Sequence, residues 1–103
     1  MKLSEESKKE VEDFLQQIIR WFCHHPEDAR IKILEGTISS IIEIYPHPED
    51  VGAMIGRGGA VAIGIRKLIG AYSRVIDHRM HPEIVEGPKN NRRRRQRRRE
   101  MET

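Results

Sequence analysis

The hydrophobic positions change period along the chain, and the changes mark out its elements. Val11, Phe14, Leu15, Ile18, Ile19 and Phe22 recur at steps of three and four residues, which places them on one face of an α-helix. Ser4 with Glu6 and Glu10 sets acidic groups near the start of that helix, where its dipole is positive. Pro26 disfavours helical geometry in the residue before it, so the helix is predicted to stop at His24 or His25. Two β-branched runs follow, Arg30-Ile31-Lys32-Ile33-Leu34-Glu35 and Ser40-Ile41-Ile42-Glu43-Ile44-Tyr45, each partly alternating. Gly36-Thr37 between them predicts a β-hairpin. Pro46 and Pro48 end the second strand, and Pro48-Glu49-Asp50 opens a short helix reaching about Ile55.

Beyond a glycine cluster at 56–59, Val61, Ile65, Leu68, Ile69 and Tyr72 return to helical steps and predict a helix over 60–72. Gly64 inside it lowers helix propensity by ~1 kcal/mol relative to Ala, which suggests close packing against a neighbour. The segment Arg79-Met80-His81-Pro82-Glu83-Ile84-Val85 predicts a last strand. Pro82 has no N–H to give to a ladder, so that strand belongs on a sheet edge. The order α-β-β-α-α-β implies an α+β fold. The helical return makes the second and third strands parallel, giving a three-stranded mixed sheet backed by three helices.

Length and charge refine this picture. A chain of 103 residues has room for one small core, assigned to residues 1–87 with the leading helix included. Residues 88–103 hold Lys89 and seven arginines against Glu100 and Glu102, a net +6, so residues 1–87 carry −3 of the overall +3. Without an apolar face to bury, 88–103 are predicted to be a disordered Arg-rich arm. No apolar run approaches the ~20 residues that span a bilayer, which excludes membrane insertion. The single Cys23 forms no internal disulfide, and residues 1–6 lack the features of a signal or transit peptide, so the expected location is cytoplasmic.

The chemistry concentrates in Asp50-Val51-Gly52-Ala53-Met54-Ile55-Gly56-Arg57-Gly58-Gly59-Ala60, where a Gly-x-x-Gly loop joins two helices. Without Cβ atoms, Gly56, Gly58 and Gly59 let phosphates approach the backbone, and the next helix offers unpaired amides at its N-terminus. The loop follows a helix and lacks the third glycine of a dinucleotide fingerprint, Val61 standing there; it also lacks the Gly-Lys-Ser/Thr end of a Walker loop.

With Pro48-Glu49-Asp50-Val51-Gly52, Ile55-Gly56, Gly59 and Ile65-Arg66-Lys67-Leu68, residues 10 to 87 resemble K-homology (KH) domains of type II topology. The resemblance is closest to the small single-KH RNA-binding proteins of bacteria. It implies a loop that grips about four nucleotides of single-stranded RNA, with bases over an apolar groove. Carried onto the matching positions, it assigns phosphate contact to Gly56, Arg57, Gly58 and Gly59, and groove walls to Val51, Met54, Ile55 and Ile63. Arg66 would support the strand or simply be solvated. It further implies post-transcriptional regulation or RNA chaperoning, and a second KH-containing RNA-binding protein or another copy of the chain as a protein partner. The chain departs from the pattern at Ala60, Ile63 and Gly64, where relatives often carry basic or polar side chains.

The arm can supply the missing attraction. Arg92, Arg93, Arg94, Arg95, Arg97, Arg98 and Arg99 resemble arginine-rich nucleic-acid-binding peptides; their contacts would be with phosphates and without sequence preference. Cys23-His24-His25, His47, His78 and His81 carry no metal-ligand spacing, and their places beside prolines at helix ends suit caps, so no metal and no cofactor is expected. No nucleophile sits beside a base, which predicts a non-enzymatic protein. Glu49-Asp50 reads as helix capping and Trp21 as the margin of the core. Two alternative functions use the same fold: a dimerisation module with a degenerate KH site, and a ribosome-associated assembly factor.

Overall fold

The computed structural model describes residues 3–86, so the Arg-rich arm lies outside the described residues. Helix α1 spans Glu5–Phe22, and the Ser4 hydroxyl caps it by accepting the Ser7 amide at 3.1 Å. Its apolar stripe turns inward, burying Val11, Leu15 and Ile19. The helix stops two to three residues before His24 or His25, because Cys23 is already extended and the amides of His24 and His25 turn away to an acceptor elsewhere.

Strands β1 (Arg30–Glu35) and β2 (Ser39–Tyr45) pair antiparallel, from Arg30 opposite Tyr45 to Glu35 opposite Ser40, and the Gly36 amide donates to Ser39 O to close the turn. Strand β3 (Arg79–Ile84) lies parallel to β2, with Pro82 opposite Ile42. The order β1-β2-β3 leaves β3 at an edge, as Pro82 requires. Central β2 carries Ile42 and Ile44, both without exposure, which pack with Leu15, Ile19, Met54, Ile65, Ile69 and Met80 in one core.

A 3₁₀ turn at Pro48–Asp50 leads into α2 (Val51–Ile55), a second 3₁₀ turn covers Arg57–Gly59, and α3 runs over Ala60–Ile76. The third helix is four residues longer than its apolar spacing predicts. Its last fully buried position is Ser73, a hydroxyl that donates to Ile69 O at 2.9 Å and accepts the Met80 amide at 3.3 Å, tying α3 to β3.

Two side-chain expectations are corrected. Trp21 is 67% exposed, because the stripe through Leu15, Ile18 and Ile19 leaves position 21 on the outer flank of α1. Gly64 marks no close packing, since a Cβ there would meet nothing within 4 Å.

Candidate nucleic-acid interface

Three successive backbone conformations build the glycine loop. Gly56 has φ 81° and ψ 168°, Gly58 φ 62° and ψ 19°, and Gly59 φ 78° and ψ 11°. All three are left-handed in φ, where only glycine sits without strain. A Cβ on Gly56 would stand 2.7 Å from the Val61 backbone nitrogen, so this glycine is also required by close approach. The Gly56 amide closes α2 onto Gly52 O, and the Gly59 amide returns to Gly56 O at 3.0 Å. The amides of Arg57 and Gly58 find no acceptor among the described residues, and both residues are exposed. They stand immediately before the N-terminus of α3, where the helix dipole favours an anion.

Between α3 and the edge strand lies a small apolar depression of about 10 Å³ among Ile44, Ala62, Ile65, Arg66, Pro82 and Ile84. Of these the sequence reading named Arg66 alone. Ile44, Ala62 and Ile65 are buried there, and half-buried Pro82 and Ile84 alternate on one face of β3. Of the expected α2 walls, Met54 has no accessible surface and belongs to the core, while Val51 and Ile55 are half-buried. A five-residue α2 must turn Met54 inward to be held at all. Ile63 is 45% exposed and flanks the loop, 3.6 Å from where a Cβ on Gly59 would stand.

Asp50 is fully buried, and its role is not the expected cap of its own helix. Its two carboxylate oxygens accept the amides of His24 and His25 at 2.9 and 2.8 Å, clamping the end of α1 to the start of α2. Burial alone would raise its pKa; the two amide hydrogen bonds and the nearby imidazoles outweigh this and hold the carboxyl below the ordinary carboxylate range. Burial, assisted by the Asp50 charge, pushes the Cys23 thiol up, which suits a structural rather than a reactive cysteine.

His25 and His47 meet with ring centroids 4.2 Å apart, and His25 Nε2 lies 3.2 Å from a Glu49 carboxylate oxygen. Ligand atoms of His25, His47 and Glu49 fall within 4.8 Å of one another, a proximity that residue spacing had not suggested. The hydrogen bonding favours the capping role all the same. His47 Nδ1 accepts the Glu49 amide at 3.1 Å, so that ring lone pair is already engaged by the backbone.

The KhpA/KhpB KH-domain family matches residues 12–84, with the loop, the depression and all three strands inside the match. The chain belongs to that family. Among its relatives, the "RNA-binding protein KhpA" of Mycobacterium leprae is 34% identical over 59 residues, 57% of this chain and 74% of the relative. The KhpA of Borreliella burgdorferi is 30% identical over 74 residues, 72% and 90% of the two chains, and that of Streptomyces coelicolor is 28% identical over 61 residues, 59% and 77%. No solved structure gives a significant match. Family membership agrees with the type II KH order read from the sequence and with a binding module in place of an enzyme. Among the described residues, no helix is long and apolar enough to cross a membrane.

Proposed function

We propose that this protein binds single-stranded RNA in the cytoplasm, holding backbone phosphates on the Gly56-Arg57-Gly58-Gly59 loop and laying bases over the depression between α3 and β3. The observation that carries this reading is the loop itself. Three glycines of positive φ expose the free amides of Arg57 and Gly58 beside the N-terminus of α3, with Arg57 carrying a cation that has no partner among the described residues. The apolar floor lies directly along the same helix. The printed name of the relatives, RNA-binding protein KhpA, supports the same chemistry.

Residues 88–103 act as a basic arm whose arginines add phosphate contacts without sequence preference, steepening the salt dependence by ~0.7 per phosphate neutralised on a single strand. Post-transcriptional regulation or RNA chaperoning follows as the role, and a second KH-containing protein, as the paired family name suggests, as the protein partner.

The test is anisotropy of a fluorescent single-stranded RNA pool at two salt concentrations, comparing the chain with an Arg57→Asp/Gly58→Asp variant and with one whose arm arginines are all Ser. Gly58 has open space around it and Asp tolerates its left-handed φ better than most residues, so the loop variant keeps its fold. Binding falls at least tenfold in the loop variant and becomes less salt-sensitive in the arm variant. RNA binding that survives the loop change and vanishes with the arm would leave the KH site without a role and favour the dimerisation reading.

A further inference from the structure

Charge is unevenly divided over the described residues. Residues 51–86 contain five bases, Arg57, Arg66, Lys67, Arg74 and Arg79, against three acids, Asp77, Glu83 and Glu86, whereas residues 3–50 contain eleven acids against five bases. The basic share is not scattered. Arg66, Gly70 and Arg74 follow at steps of four along α3 and share a face, with Ile63 seven positions before Gly70 on that face and next to the loop. A polar groove runs here, with Arg66, Gly70 and Arg74 of α3 on one side and Arg79 and His81 of β3 on the other, three arginines against the two acids Asp77 and Glu83. It shares Arg66 and Pro82 with the apolar depression and so continues from it.

Two features mark this groove as built for a polyanion. Arg66, Arg74 and Arg79 are exposed, and no ion pair among the described residues engages them. Gly70 keeps the helix surface between Arg66 and Arg74 bare, although no backbone constraint calls for glycine there: its φ is not positive and a Cβ would meet nothing within 4 Å. A glycine in mid-helix lowers stability by ~1 kcal/mol relative to Ala, and here the room it leaves opens onto the groove.

We propose that the Arg66–Gly70–Arg74 face, with Arg79 opposite, carries the sugar–phosphate backbone of the same RNA strand beyond the loop site, so that the strand follows the whole of α3. The inference rests on the RNA-binding reading given above. From Arg66 to Arg74 the helix rises ~12 Å, and a stacked strand advances ~3.4 Å per nucleotide, so the groove adds roughly three nucleotides to the roughly four held at a KH loop.

The experiment uses the full chain and unstructured RNAs of roughly four and roughly eight nucleotides, lengths chosen to fill the loop site alone or both sites. Gly70→Glu places a carboxylate in the groove where space exists and where Glu is the better helix former, and Arg74→Glu/Arg79→Glu reverses two of the cations. Thermal midpoints check that both variants fold. The wild-type chain binds the longer RNA about tenfold tighter than the shorter. Both variants lose that gain while keeping wild-type affinity for the shorter RNA, and the double variant flattens the salt slope for the longer RNA by about 1.4. The arm is present in every chain and cancels from the comparison. Wild-type affinity of both variants for the longer RNA overturns the extended path. If the wild type does not distinguish the lengths but Arg57→Asp/Gly58→Asp abolishes binding, the extension falls and the loop site stands; if the loop variant binds like wild type, both fall.

Discussion

Replacing one glycine at a time with alanine separates the loop's backbone demands from ordinary helix propensity. At Gly56, φ 81° and ψ 168° lie in a region nearly restricted to glycine, and a Cβ would stand 2.6 Å from Val61 Cγ2 and 2.7 Å from Val61 N. The Val61 side chain can rotate away, but its backbone nitrogen is fixed in the first turn of α3. Conformational strain of ~1–3 kcal/mol and a backbone clash of comparable size place Gly56→Ala at about 3–5 kcal/mol of lost stability. Gly58 is also left-handed, at φ 62°, yet nothing lies within 4 Å, so only the ~1–2 kcal/mol of left-handed strain applies. Gly70 has helical φ and open space, and Gly70→Ala gains ~0.5–1 kcal/mol. For a domain of 60–100 residues each kcal/mol moves the midpoint by ~4–8 °C. Thermal unfolding followed by circular dichroism therefore gives losses of more than ~12 °C for Gly56→Ala, ~4–16 °C for Gly58→Ala, and a rise of ~2–8 °C for Gly70→Ala. Equal losses at positions 56 and 58, or a loss at position 70, would refute the assignment of clash, strain and free space to these three sites.

Three further outcomes follow from the core and its clamp. Because the folded Asp50 pKa is depressed, the unfolded chain takes up that proton first as pH falls; the stabilisation is complete above the unfolded value of ~3.9 and is lost as pH drops toward the folded one. Urea midpoints below about pH 4 should thus fall more steeply in the wild type than in Asp50→Asn, and parallel curves would remove Asp50 from the clamp. Leu15→Ala, at a side chain with no exposure, should lower stability by about 2–5 kcal/mol in urea titrations. Trp21→Ser should stay within about 0.5 kcal/mol of wild type, a surface value that a core tryptophan would exceed several-fold.

What the sequence made legible was what periodicity and proline chemistry report directly. The stripe through Val11, Leu15 and Ile19 located α1, and the missing N–H of Pro82 put β3 on the edge before any pairing was known. The Gly-x-x-Gly loop stood out because its conformational need is local to three residues. What stayed hidden depends on contacts between segments far apart in the chain. Asp50 looked like a cap for the helix it opens, and its true partners are amides 25 and 26 residues earlier. Ser73 broke the apolar count and so shortened α3, although its hydroxyl makes the inward contacts that a hydrophobic residue would otherwise make. Met54 counted as a groove wall because apolar residues beside a binding loop serve equally as wall or as core, and only the packed fold separates the two uses.

Net charge would argue against RNA binding by the folded part, since residues 1–87 sum to −3. Range decides otherwise. The Debye length is ~8 Å at physiological salt, while α3, 17 residues at 1.5 Å each, is ~26 Å long. A phosphate beside Arg57 or Arg74 would therefore respond mainly to the side chains nearest it, and the net −3 of residues 1–87 does not set its energy. On the proposed reading, the uneven division of charge would keep the strand on one side of the molecule, because acidic side chains dominate residues 3–50. At ~0.01 M salt the Debye length grows to ~30 Å and the acidic side comes within range. With the arm arginines replaced by Ser, a plot of log affinity against log salt should then bend downward at low salt, away from the straight line of counterion release. A straight plot throughout would mean that local screening does not set how the folded part meets RNA.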